Sequence, residues 1–500
     1  MKALWAIGRI GSIADVDDAL VWQLIDDGAG NGEPTDPRVE DSDWCVIHGV
    51  KSIRGSTKGT GFVRLDYVLT SSAFLTDRYE LTMLDAARHS GMAERATVFE
   101  VFCRQLPAGR RYGVVAGTGR LLERIRDFRF EEQELEFLRD NKVVDKPTLD
   151  WLANYRFEGN IHGYREGDLY FAYSPVLTVE ATFQHAVVLE TLILSVLNFD
   201  SAVASAASRM ASAAQGRFLA EMGGRRTNEI AAVAAARAAF IAGFSATSNL
   251  EAGRSWGIPT MGTAAHAFTL LHDTEEQAFR AQVAAFGPGT TLLVDTYDID
   301  NAVRKAVEIA GPELGAVRID SGDLGVEVNR VRALLDSLGN KNTKITVTND
   351  LDEFSIAALA AAPVDNYGVG TSVVTGSGIP TAGFVYKLVA FEDASGDWTS
   401  VAKRSVHKTN IGGRKFAMRR HDDKGIATAE LLSPGHTAEV TPQDRELLVP
   451  LIVNGEVIES HTGASGTLAA KAFHEQAKKA LPIQGLRLVR GDAAIPTRFI

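Results

Sequence analysis

Val317-Arg318-Ile319-Asp320-Ser321-Gly322-Asp323 decides how this chain is read. A short apolar run ends in a carboxylate, a hydroxyl and a glycine, and a helical pattern follows at Leu324–Leu338. Side chains two apart on a strand face the same way, so Arg318 and Asp320 share one side. With this run ending at Ile319 and similar runs ending at Val294, Val347 and Val369, the steps are 25, 28 and 22 residues. Between them lie helical patterns at Ile299–Ala310 and Leu351–Ala361. Strand–helix units of this length imply a parallel sheet, and strands apolar throughout imply cover on both faces.

An α/β barrel and an open doubly wound sheet both satisfy the pattern. In either, chemistry collects at the C-terminal strand ends. There fall His266, Asp295, Arg318, Asp320, Asn349, Asp350 and Thr371. Gly243–Thr247 and Ile258–Gly262 are expected as earlier strands of the series.

Upstream, Thr76-Asp77 should cap a helix running through Tyr79, Leu81, Met83, Leu84 and Ala87. Thr97–Phe102 reads as a strand, Gly117–Phe128 and Glu131–Asp140 as helices, and Ala186–Leu197 as an apolar helix. Two strand-like runs flank the turn Glu166-Gly167-Asp168. Strand-like material returns at Phe384–Phe391, Thr399–Val401 and Leu447–Val453, beside a basic loop at Lys408–Lys415. Residues 1–68 are rich in turn chemistry and are expected to be a loosely held, poorly ordered extension.

Composition narrows the class. The chain has 500 residues, with 45% hydrophobic and 23% charged, as in a soluble globular protein of two or three domains. Its net charge of −11 argues against a general nucleic-acid binder. No continuous apolar run has the length of a membrane span. The two cysteines, Cys45 and Cys103, form no C-x-x-C, so structural zinc is not indicated and a reducing, cytoplasmic setting fits.

The site residues have bland readings to overcome. A histidine in an apolar neighbourhood is most often a satisfied core residue. His266, however, follows Gly262-Thr263 at an expected strand end, with Asp295 ending a neighbouring run. A carboxylate on one ring nitrogen would leave the other free as a nucleophile. Arg318 offers a fork for a carboxylate or phosphate, and Ser321 or Asp323 could simply cap the following helix. Gly370-Thr371-Ser372 suits phosphate, although glycines also make tight turns. Arg225-Arg226 reads by default as a solvated charged face. There is no P-loop motif.

Five motifs in order make the chain resemble the nicotinate phosphoribosyltransferases, which are type II phosphoribosyltransferases. They are Thr76–Met83, Ser245–Asn249, Gly262-Thr263-x-x-His266, Arg318–Asp323 and Gly368–Ser372. The resemblance implies an irregular α/β barrel over 191–384 and a second, α/β sandwich domain from 69–190 plus 385–500. It implies ATP-coupled transfer from 5-phosphoribosyl 1-diphosphate to nicotinate, with Mg²⁺, in a homodimer whose sites lie near the subunit interface. It makes His266 the phosphorylated histidine and Asp295 its orienting carboxylate. Tyr79 becomes the ring that stacks on the pyridine, and Thr263 and Arg318 become nicotinate contacts. Asp320 is placed by the ribose and metal, with Asp323 as a further metal ligand. Gly370 and Thr371 form the phosphate loop, and Arg225 reaches a ligand from the partner subunit. Met222 stands where relatives often carry an aromatic. Rival readings are transfer to nicotinamide and a non-catalytic phosphosugar sensor.

Overall fold

The computed structural model describes residues 71–107, 109–403, 410–437 and 439–500. The extension expected over 1–68 lies outside the described residues, as do Lys408 and Thr409 of the basic loop. Six short strands form one sheet, in the order Ala246–Thr247, Phe218–Glu221, Asn366–Val369, Lys344–Val347, Ala316–Ile319, Thr291–Leu293. Every neighbouring pair in it is parallel. Among the described residues no ladder joins the two outer strands, so the barrel is irregular and incompletely paired.

Three of the helices after the strands start where the sequence supplies a cap. Asp298 accepts from the backbone N–H of Asn301, Asp323 from Val326, and Asp352 from Phe354 and Ser355. Each side chain satisfies amide groups that a helix start leaves without partners. The first of these helices, Ile299–Ala310, buries Ala302, Val303, Ala306 and Ala310 on one stripe. The next, Leu324–Ser337, buries Val328, Val331 and Leu335.

A second, seven-stranded sheet draws on both ends of the described chain. Its order is Trp398–Ser400, Phe384–Glu392, Ala96–Cys103, Leu177–Thr182, Asn160–Tyr164, Leu448–Val453, Glu456–Val457. Its strands run antiparallel. A four-stranded sheet adds Asp444–Glu446, Lys415–His421, Ala427–Pro434 and Thr497–Phe499. The architecture is α/β, with a parallel and a largely antiparallel part.

Helix Glu190–Ala214 joins the two. Its first half buries Leu192, Ile193, Val196 and Leu197 in the antiparallel core, and its second half buries Val203, Ala206, Ala207 and Met210 in the parallel core. The helix is long and apolar enough to cross a membrane by composition, yet 72% of its apolar window is buried inside the protein. Its second half was hidden in the sequence by an alanine–serine run. Such residues bring helices close without announcing an apolar stripe.

One expectation changes, and two features appear that the sequence did not announce. Ile258–Gly262 makes a single bridge, Thr247 to Thr260, because Pro259 has no N–H for a ladder. Phe218–Glu221 is a strand the sequence reading missed, set between Ala246–Thr247 and Asn366–Val369. The basic loop does not present free cations at its end: Lys415 is buried against Glu100 at 2.7 Å, and Arg414 pairs with Glu180 at 2.7 Å.

Candidate active site

Strand ends of the parallel sheet surround a cavity of about 430 Å³. Met222, Arg225, Ser248, Thr263, His266, Arg318 and Asp320 all border it. Arg318 is the organising residue. Its Nε donates to Thr348 Oγ1 at 3.0 Å, and Nη1 donates to Thr263 Oγ1 at 3.0 Å and to the Ala264 carbonyl at 3.2 Å. Nη2 donates to Asp320 Oδ1 at 3.0 Å. A guanidinium has five N–H groups, so these contacts leave one on Nη2 for a ligand. Arg318 is thus held rigidly as a charged wall. A bidentate grip on a carboxylate would require it to release an internal partner.

Asp320 also accepts from Thr348 Oγ1. Asp295 Oδ2 accepts from the Asp320 N–H at 2.8 Å and from Ser321 Oγ at 2.6 Å. The Asp295 carboxylate is therefore tied to the Asp320 backbone and the Ser321 hydroxyl at the strand end. Asp295 Oδ1 is buried and has no hydrogen-bond partner.

His266 opens the helix His266–Leu271. Its Nδ1 lies 3.1 Å from Thr296 Oγ1. Its Nε2 lies 3.8 Å from both Asp295 Oδ1 and Asp320 Oδ2, just outside hydrogen-bond reach. The direct partner of the ring is thus Thr296, while Asp295 stands one short shift away with an unused oxygen.

The other expected residues divide. Arg225 borders the cavity from the same chain as His266, with its side chain exposed. Gly370 and Thr371 start the turn Thr371–Val374, behind the loop that carries Arg225. Asp323 caps Leu324–Ser337 and is exposed. Tyr79 does not border the cavity. It sits on helix Arg78–His89 of the antiparallel part, half-exposed, where burial and then Glu190 push its hydroxyl up to about 12.

Sequence reasoning passed over Thr296, Thr348 and Glu221. Thr346 lies in register beside Arg318, so Thr348, two residues on, falls at the level of Asp320. A Mg²⁺ ion takes one or two carboxylates and fills its shell with water and phosphate oxygens. The uncommitted Asp295 Oδ1 and Asp320 Oδ2 suit that role, and Asp323 uses Oδ1 for its cap. Asp85, His89 and Asp145 also cluster, but there His89 pairs with Asp145 at 3.1 Å, and Asp85 accepts from Thr148 Oγ1 at 2.6 Å. Those contacts account for that cluster without an ion.

The chain is similar to proteins of known family. Residues 74–198 match the nicotinate phosphoribosyltransferase (NAPRTase) N-terminal domain. The chain is 54% identical over 439 residues to nicotinate phosphoribosyltransferase pncB1 of Mycobacterium tuberculosis, covering 86% of this chain and 95% of that one. It is 36% identical over 356 residues to the nicotinate phosphoribosyltransferase of Bacillus subtilis, covering 69% and 72%. The fold superposes on human nicotinic acid phosphoribosyltransferase with a TM-score of 0.72 at 24% identity, over 85% of this chain and 97% of that one. A nicotinate-nucleotide pyrophosphorylase from Pyrococcus furiosus gives 0.68, also at 24% identity, over 84% and 98%. At those identities the two structures speak for the fold.

Proposed function

Because the chain belongs to the nicotinate phosphoribosyltransferase family, we propose that it transfers the phosphoribosyl group of 5-phosphoribosyl 1-diphosphate to nicotinate, in NAD synthesis. The observation that carries the proposal is the cavity in which Arg318, Asp320, Thr263 and His266 meet at the ends of parallel strands. The bond from the anomeric carbon to the diphosphate oxygen breaks and its electron pair leaves with diphosphate. The pyridine nitrogen supplies the pair for the new bond to that carbon.

Charge develops at the anomeric centre and on the leaving group, so fixed charges and dipoles supply most of the help. Arg318 offers its remaining N–H and its positive charge to the nicotinate carboxylate. Asp320 faces the ribose side. Arg225, exposed at the rim, holds phosphate oxygens. Asp320 and Asp295 would hold Mg²⁺, which supplies charge neutralisation for the diphosphate.

His266 takes the γ-phosphoryl group of ATP in the coupled cycle, releasing ADP, and water later removes it as phosphate. The partly exposed ring supports this reading, with Asp295 and Asp320 near its Nε2 and Thr296 on its Nδ1. The enzyme works as a homodimer. Tyr79 lies off the cavity of its own chain, which supports its delivery to the pyridine of the partner's site, with Arg225 acting within its own.

The test is mononucleotide formation from nicotinate, the phosphoribosyl donor and Mg²⁺, with and without ATP, with nicotinamide as competitor. Product from nicotinate, stimulated by ATP, is expected. His266→Ala should keep a basal rate and lose the ATP stimulation. Full stimulation in that variant would remove the phosphohistidine, and preference for nicotinamide would overturn the acceptor.

A further inference from the structure

Glu221 is fully buried at the end of strand Phe218–Glu221 and has no cationic partner among the described residues. A buried carboxylate without a counter-charge is costly, and burial pushes this one up. Its two oxygens serve two separate loops. Oε1 accepts from the backbone N–H of Gly223, and Oε2 accepts from Thr247 Oγ1 at 2.6 Å. Thr247 Oγ1 in turn accepts from the Asn249 N–H at 3.0 Å, and the Ser248 N–H donates to the Glu221 carbonyl at 2.8 Å.

Both loops border the cavity, one through Met222 and Arg225, the other through Ser248. A third is tied in by contact. A Cβ on Gly223 would meet Val374 Cγ1 at 2.2 Å and the Gly370 carbonyl at 2.9 Å, so the Arg225 loop is wedged against the Gly370 turn. Met222 also donates its N–H to the Val369 carbonyl at 2.7 Å.

We propose that Glu221 is a positioning residue: its side chain clamps the Met222–Arg225 and Thr247–Asn249 loops so that Arg225 meets the anionic substrate at a fixed distance. The inference rests on the phosphoribosyl-transfer reading only for its choice of ligands. The clamp works through accepted hydrogen bonds, so the shape and acceptor matter and a full charge does not. A glutamine can keep Oε1 on the Gly223 N–H and turn its amide to Thr247, whose hydroxyl can accept as well as donate.

Glu221→Leu and Glu221→Gln in the full chain test the proposal. The readouts are KM and kcat for both substrates, and the calorimetric Kd for inorganic diphosphate, which needs no turnover. In the leucine variant, KM for the phosphoribosyl donor and Kd for diphosphate should rise by about tenfold, with kcat within about threefold. The glutamine variant should stay within about threefold of the wild type in all of them. Unchanged binding in Glu221→Leu, or equal damage in Glu221→Gln, would overturn the clamp. Should the leucine variant fail to fold, Thr247→Val carries the test: weaker diphosphate binding at an unchanged thermal midpoint supports the clamp, and unchanged binding overturns it. Wild-type protein that binds diphosphate without turnover would sink the reaction while leaving the clamp standing.

Discussion

At the scale of single residues, Arg318 shows why an arginine here is not exchangeable for lysine. It spans Thr348, Thr263, Ala264 and Asp320 with one planar group. A lysine keeps the charge but offers one point of attachment on a flexible stem. Arg318→Lys should therefore free Thr263 and Asp320 as well as weaken the grip on the acceptor. KM for nicotinate should rise at least about tenfold in steady-state assays, with a smaller loss in kcat. A lysine variant with wild-type KM would mean that charge alone binds the acceptor. The pairing of His266 Nδ1 with Thr296 rather than with Asp295 is equally a residue-scale fact. Thr296 follows Asp295 in sequence, and nothing in the order of letters says which of the two the ring will meet.

Elements explain what was legible and what was not. Apolar periodicity placed the helices at Ile299 and Leu324, where Asp298 and Asp323 cap them, but began the third at Leu351, two residues before the start that Asp352 caps. Regular spacing placed the strands between them. Phe218–Glu221 was not legible because four residues after a glycine turn carry no period. Thr348 was not legible because its partners Arg318 and Asp320 reach it only through the sheet register. The C-terminal helix Gly463–Lys479 was unread for the same reason: long-range partners hold it. His474 on this helix is buried, with Nδ1 2.9 Å from the Gly167 carbonyl and Nε2 3.0 Å from Ser208 Oγ. Burial pulls its pKa from 6.5 down to about 4. Between those values the unfolded chain gains a proton that the native one refuses, so stability is full above pH 6.5 and falls as pH drops towards 4. The loss from this one group is about 3 kcal/mol. Denaturant unfolding at several pH values should show it, and His474→Gln should flatten that slope. An unchanged slope would assign the acid sensitivity elsewhere. Arg237 gives a second test. It pairs with Glu166 at 2.6 Å and donates to Thr467 Oγ1 at 3.1 Å, joining helix Glu229–Ile241 to the antiparallel part and the C-terminal helix. Arg237→Ala strands a buried carboxylate and should cost about 3–5 kcal/mol of stability by denaturant titration.

For the whole molecule, the question is why the residues named by one motif series do not all meet. Arg318, Asp320, His266, Thr263 and Arg225 share a cavity, but Tyr79 stands on a helix of the antiparallel part, its ring partly exposed. If Tyr79 stacks on the acceptor as proposed, its absence from its own cavity calls for a second copy to supply it. In a symmetric dimer the same surface is used twice, so each site would contain one chain's His266 and the other's Tyr79. That arrangement makes a prediction no single chain can imitate. Tyr79→Ala and His266→Ala should each lower ATP-stimulated turnover as homodimers. Mixed after dissociation and reassembly, they form heterodimers in which one site has lost both groups and the other has lost neither. Random pairing makes about half the dimers mixed, and each holds one intact site, so about a quarter of wild-type activity should return. The mixing experiment reads subunit geometry directly, because two damaged sites on independent chains cannot repair each other. Activity that stays at the mean of the two variants would put Tyr79 in its own chain's site or outside the chemistry. Recovery near one quarter would place it across the interface.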